Sequence, residues 1–132
     1  NKIITDKNLM EINYGQAEGL NINDLKIKFP YILQKWKKKQ DPKFPNGENY
    51  RNVIKRQNIF LRKIINLNHK QICVVTHNVF LRCLIGKFFN FPINKWHKLE
   101  IPHGLKLEFL IINKKIYPNI NRNILKAIIK NF

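Results

Sequence analysis

Apolar and polar positions recur along this chain with a period that changes from segment to segment. From about Glu48 to Asn66, residues Val53, Ile54, Phe60, Leu61, Ile64 and Ile65 recur at helical spacing. That pattern predicts a long amphipathic helix with one stripe facing a core. Residues 71–76 behave differently. Ile72, Cys73, Val74 and Val75 form a continuous apolar run, which predicts a strand buried on both faces. A helix-like pattern resumes at once over residues 78–89. Residues 106–112, KLEFLII, predict another strand, and residues 122–130 a terminal helix. Upstream, Asn23 is a candidate N-cap for a short helix ending near Phe29-Pro30. Tyr31, Leu33 and Trp36 mark a second short helix. Residues 40–49, QDPKFPNGEN, read as a loop, and Gly15 and Gly19 mark turns in an irregular opening segment. Strand, helix and strand in this order predict an α/β layer with parallel pairing.

At 132 residues the chain is expected to form a single domain over 1–132, with no internal repeat and no linker. No apolar run approaches the roughly 20 residues that cross a bilayer. No signal or transit pattern opens the chain, so a cytoplasmic location is expected. The chain opens on Asn1 rather than Met, which reads as a fragment, a processed product or an incomplete sequence. Cys73 and Cys83 lack the spacing of a zinc site or a disulfide framework and are expected to be reduced, buried thiols.

A net charge of +17 invites a nucleic-acid or anionic-membrane reading. The lysines are scattered apart from Lys37-Lys38-Lys39, and no aromatic stripe interleaves with them as on an RNA-binding sheet. The chain is also crowded with Ile and Asn, a bias that an AT-rich genome writes into any protein. Solvated lysines are the better reading. Nucleic-acid and membrane partners are not expected, and the excess charge favours phosphorylated small molecules. A homodimer is left open.

The junction VVTHN is the first candidate for chemistry. His77 stands at the carboxyl end of a predicted parallel strand and just before a helix, where ligand crevices of open α/β sheets lie. The first N–H groups of that helix, from Asn78 onward, have no intrahelical partner and favour an anion. In LMEINYGQAEG, Glu11 sits between apolar anchors before a glycine turn, and a carboxylate held in a partly dry pocket can act as a general acid. In FPNGENY, Glu48 follows Gly47 and can cap the long helix or orient a site group. His103 lies in a turn near the presumed crevice. Against each stands a bland alternative: a structural histidine, a solvated carboxylate, a surface turn. Spacing among His69, His77, His97 and His103 suggests no metal site, and no cofactor is expected.

Taken together, these stretches resemble a known family. LMEINYGQAEG is similar to the "L-x-E-x-x-x-G-x-x-E-G" stretch of the histidine phosphatase superfamily, which includes the phosphoglycerate mutases. FPNGENY resembles its "P-G-G-E-S" loop and VVTHNVFLR its "V-V-S-H-G-G-V-I-R" turn, and IPHGLKLEF resembles a following "I-P-x-G-x-x-L" segment. The four occur in family order over roughly residues 3–112. Asn78 stands where Gly is frequent, and Asn49 replaces the usual Ser. The resemblance implies a phosphoglycerate mutase-like three-layer α/β sandwich with a mostly parallel sheet. It implies phosphomonoester hydrolysis through a phosphohistidine, with Glu11 protonating the leaving oxygen and His77 stabilising the phosphoryl group. Asn78, His103 and Glu48 are then expected to meet phosphate or substrate, with residues 29–45 forming part of a lid that carries Trp36, Lys38 and Lys39. The family's nucleophile lies in an Arg-His-Gly motif that this sequence lacks. The resemblance therefore implies a chain truncated at its amino end, without the first strand and helix, inactive in isolation and poorly soluble along an open sheet edge. Phosphoryl transfer of the mutase kind, or a non-catalytic pseudoenzyme or polyanion-binding module, stand as alternatives. The stretch between Glu11 and His77 is short for a mutase.

Overall fold

The computed structural model describes residues 3–131, so the outermost ends of the expected 1–132 domain lie outside the described residues. Helices dominate. Helix α1 spans Ile22–Lys28, α2 Pro30–Lys37, α3 Tyr50–Ile64, α4 Asn78–Phe88 and α5 Arg122–Ile128. Short 3-10 turns cover Lys7–Leu9, Gly15–Ala17 and Ile93–Lys98. Strands β1, Phe109–Ile112, and β2, Lys115–Pro118, form an antiparallel hairpin that pairs Phe109 with Pro118 and Ile112 with Lys115.

The helices start where their polar residues dictate. Asn21, not Asn23, caps α1: its side chain accepts from the N–H groups of Asn23 and Asp24. The Asp24 carboxylate returns a bond to the Asn21 N–H, so the third helical residue decides between two candidate caps. Asn49 and Asn52 make the same reciprocal pair at the start of α3. Asp41 adds a carboxylate there, accepting from the Tyr50 and Arg51 N–H groups. Pro30 opens α2, where its missing N–H costs nothing.

The core lies between α3 and α4. On α3, Val53, Gln57 and Phe60 are buried at successive turns, with Ile64 partly so. On α4, Val79, Phe80, Cys83, Leu84 and Ile85 are buried. Phe60 and Phe80 meet edge to face at 6.3 Å. Gln57 is the polar residue in this stripe; its amide donates to the Phe80 carbonyl at 2.8 Å. Trp96 closes the other side of α4 over Gly86, where any Cβ would collide with the indole. Its ring nitrogen donates to the Phe91 carbonyl. Leu99, Ile101 and Ile128 complete the packing, joined by a bond from the Glu100 N–H to the Ile128 carbonyl.

Two expectations are corrected. Residues 71–77 form no helix or strand, and among the described residues no strand pairs with them. Cys73, Val74 and Val75 are exposed rather than buried, and Val75 reaches 84 % exposure. Extended backbone becomes a strand only when a neighbour takes its N–H and C=O groups. Likewise β1 pairs with the strand that follows it, not with residues 71–76, so the only described sheet is antiparallel. The Asn113-Lys114 turn explains this pairing. Both residues have positive φ (50° and 58°), which suits a two-residue turn matched to the strand twist. Only Cys83 of the two thiols is buried, and burial pushes its thiol well above the ordinary range.

Candidate functional site

The site is built from two loops fastened backbone to backbone. The Asn13 carbonyl accepts from the Glu48 N–H at 2.7 Å, and the Pro45 carbonyl accepts from the Gln16 N–H at 2.9 Å. Gly15 and Gly47 stand at this junction. A Cβ on Gly15 would strike the Pro45 carbonyl oxygen, and one on Gly47 would strike the Asn13 carbonyl oxygen. Gly15 also needs its positive φ of 55°, and the Asn13 side chain stabilises that turn by accepting from the Gly15 N–H. The two glycine-bearing motifs are thus one structural unit.

Glu48 and Arg56 fasten this unit to α3. The Glu48 carboxylate accepts from Arg56 Nε at 3.0 Å, from an Arg56 terminal nitrogen at 3.1 Å and from the Asn13 N–H at 2.9 Å. Burial alone would raise the Glu48 carboxyl. The guanidinium and the Asn13 N–H outweigh that and hold it below the ordinary carboxylate range. Glu48 was expected to meet phosphate; the structure places its oxygens on Arg56 and Asn13 instead. At the lower end of α3, the Asp6 carboxyl is held low first by the Asn8 N–H and then by Lys63, 3.0 Å away.

Glu11 leaves this frame and reaches α4. Its carboxylate accepts from the Ile12 N–H at 2.9 Å and, through both oxygens, from the Val79 N–H at 3.1 and 3.2 Å. Val79 is the second residue of α4, so Glu11 occupies a helix N-terminus whose first N–H groups have no intrahelical partner. His77 is the N-cap residue of the same helix, two positions before Val79. Its backbone is extended, its imidazole is exposed, and it makes no side-chain capping bond. Thr76 anchors the approach to it, donating its hydroxyl to the Leu9 carbonyl at 2.8 Å. Glu11 and His77, 66 positions apart in sequence, are therefore brought to one helix end.

Asn78 and His103 are linked to the same place. The Asn78 amide donates to the Ile101 carbonyl at 3.1 Å, while its side-chain oxygen is buried without a partner. That bond ties the start of α4 to the turn that carries His103, which is exposed beside Gly104 at φ 73°. Glu11, His77 and Asn78 thus meet at the amino end of α4, His103 follows Ile101 by two residues, and Glu48 holds the Asn13 N–H beyond Glu11. The sequence reading missed Arg82 and Tyr14. Arg82 lies one turn into α4 with its Nε on the Leu99 carbonyl. Burial, and then the Glu11 charge, push the Tyr14 phenol up, while the Arg82 charge opposes them. Burial does the same to Tyr50, which also feels Arg82. The signal for Arg82 was its place in VVTHNVFLR, one helical turn after Asn78. Among the described residues no group of three or more His, Cys, Asp or Glu gathers to hold a metal ion.

A family model for the histidine phosphatase superfamily (branch 1) matches residues 1–114. The chain belongs to the histidine phosphatase superfamily. It is 31% identical over 110 residues to a 6-phosphofructo-2-kinase/fructose-2,6-bisphosphatase of Caenorhabditis elegans, covering 75% of this chain and 22% of that protein. A protein of the same description from Arabidopsis thaliana is 31% identical over 97 residues, covering 71% of this chain and 13% of its own length. A fructose-2,6-bisphosphatase of Saccharomyces cerevisiae is 24% identical over 105 residues, covering 77% of this chain and 23% of its own length. The chain thus spans less than a quarter of each of these relatives. Within this histidine phosphatase domain, helices and a small two-stranded sheet are described, and no helix of the described residues is long and apolar enough to cross a membrane.

Proposed function

We propose that this chain contributes the acid and the second histidine of a phosphomonoesterase that works through a phosphohistidine. The observation that carries the reading is the Glu11 carboxylate seated on the Val79 N–H, two residues past His77. A phosphoryl group at this helix end meets the free N–H groups of α4, the His77 imidazole and the nearby Arg82 charge, all suited to oxygens that gain charge in the transition state. Glu11, protonated, gives its proton to the leaving oxygen. His103 meets the substrate from the 101–104 turn, and the Asn78 backbone N–H faces the phosphoryl oxygens.

The nucleophilic Arg-His-Gly segment is absent from the 132 residues and belongs, in this proposal, to sequence upstream of them. The same segment would supply the parallel neighbours that the exposed run 71–76 lacks, giving the three-layer sandwich with a mostly parallel sheet. The exposed Val74 and Val75 support that reading. Names of the relatives favour hydrolysis over mutase chemistry and make fructose 2,6-bisphosphate the first substrate to try.

The test is phosphate release from fructose 2,6-bisphosphate and p-nitrophenyl phosphate by the product of the coding sequence extended upstream. An in-frame Arg-His-Gly with activity is expected, with Glu11→Gln and His77→Ala each lowering kcat by roughly 10²-fold or more. An acid-labile phosphoenzyme should accumulate. The 132-residue chain alone should release no phosphate. Release by that chain, abolished by His77→Ala, would show that the nucleophile lies within it.

A further inference from the structure

We infer that Arg56 is the positioning residue for Glu11. The inference rests on Glu11 being the proton donor proposed above. A guanidinium has five N–H donors, and Arg56 uses all of them. Nε and one terminal N–H go to the two oxygens of Glu48. The remaining three go to the carbonyls of Asn8, Met10 and Glu11. One side chain on a fifteen-residue helix therefore grips three carbonyls of the acid loop, among them that of Glu11 itself.

Apolar packing cannot do this task. Met10 is 62% exposed, and within residues 10–13 only Ile12 is buried. The loop therefore has one apolar anchor beside Glu11, and its remaining hold is polar. Glu48 completes the frame by accepting from the Asn13 N–H on the far side of Glu11. With both arms in place, the Glu11 backbone is fixed from 10 to 13, and its short side chain lands on the Val79 N–H. The Arg56–Glu48 pair is partly shielded, with side chains 14% and 23% exposed, so water competes only partly for these bonds. Lysine cannot substitute: a point charge with three donors does not match a planar fork holding both Glu48 oxygens and three carbonyls.

The Val79 amide reports the position of Glu11, because Glu11 is its hydrogen-bond acceptor. The experiment is amide NMR and hydrogen exchange on the 132-residue chain, comparing wild type, Arg56→Lys and Glu48→Gln. In wild type, the Val79 and Ile12 resonances should move together as acid protonates the carboxyl, and Glu11→Gln should abolish that response. In Arg56→Lys, the Val79 amide should exchange at least about tenfold faster and lose its acid response. The Phe60 and Ile85 amides, in the middle of α3 and α4, should keep their rates within about twofold. Unchanged Val79 exchange in Arg56→Lys overturns the inference. So does a parallel loss at Phe60 and Ile85, which would make Arg56 a general support of the fold. If Arg56→Lys does not fold, as judged by circular dichroism, Glu48→Gln decides by the same readouts. None of these readouts needs turnover, so failure of the phosphatase reading is seen separately, in the phosphate-release assay.

Discussion

Two stretches of this molecule lead to the amino end of α4 and are held in opposite ways. The acid loop, residues 8–16, has carbonyls and N–H groups taken up by Arg56, Glu48, Pro45 and its own Asn13. The approach to His77, residues 71–76, carries a larger share of apolar side chains yet leaves Cys73, Val74 and Val75 in solvent. The contrast shows that hydrophobicity decides what wants to be buried, while hydrogen-bond partners decide what is fixed. The first stretch finds its partners on α3 and in the loop before it, within the described residues. The second finds no strand partner among the described residues.

The largest expected effect falls on the interlock. Gly47→Ala puts a methyl against the Asn13 carbonyl, a backbone group that cannot swing aside. A loss of about 3 kcal/mol by urea denaturation is expected, the upper part of the usual range for overpacking. A wild-type midpoint would mean that the two loops separate freely and that the contrast is false. Next comes Glu48→Gln, which replaces a charge-assisted pair by a neutral one at a partly shielded site and should cost about 2 kcal/mol at pH 7. The pH dependence has a definite sign. The folded Glu48 carboxyl lies below its unfolded value of about 4.3, so its stabilisation is complete above that pH. It is lost as pH falls through the folded value. The two proteins should therefore draw together in stability as pH falls below the ordinary carboxylate range, measured by thermal unfolding from neutral to acid pH. Constant separation would place the Arg56 contribution elsewhere. The smallest effect is expected for Val75→Lys in the 132-residue chain, within about 0.5 kcal/mol, because an exposed side chain has little packing to lose. A cost near 2 kcal/mol would reveal a partner for residues 71–76 and erase the comparison from the other side.

What could be read from the sequence follows the same division. The long helix, the helix after His77, and the turns at Gly15 and Gly19 are written in local period and composition. They stand within a few residues of their expected places. The strand expected over residues 71–76 is not formed, because pairing depends on segments far away in sequence. The antiparallel hairpin had a local signal in Asn113-Lys114 that the apolar run before it overshadowed. Glu11, His77 and Asn78 were singled out through motif order, and the structure brings these three to the amino end of α4. Arg56 was invisible for a plain reason. Its partners lie 8 to 48 positions away, and nothing in its neighbours marks it from the other cations of a +17 chain.

The Asn13–Glu48 clasp has a further consequence for how such a chain can vary. The backbone departs from this clasp, forms α1 and α2, and returns to within one hydrogen bond of where it left. Residues 17–44 are therefore a cassette with both ends pinned to the same point. Lengthening it costs only loop-closure entropy, about 0.6 kcal/mol for each doubling. Residues added near its outer turns, at Lys38 and Lys39, leave Glu11 where α3 holds it. The domain can thus vary residues 17–44 while the Glu11 loop stays where Arg56 and Glu48 hold it.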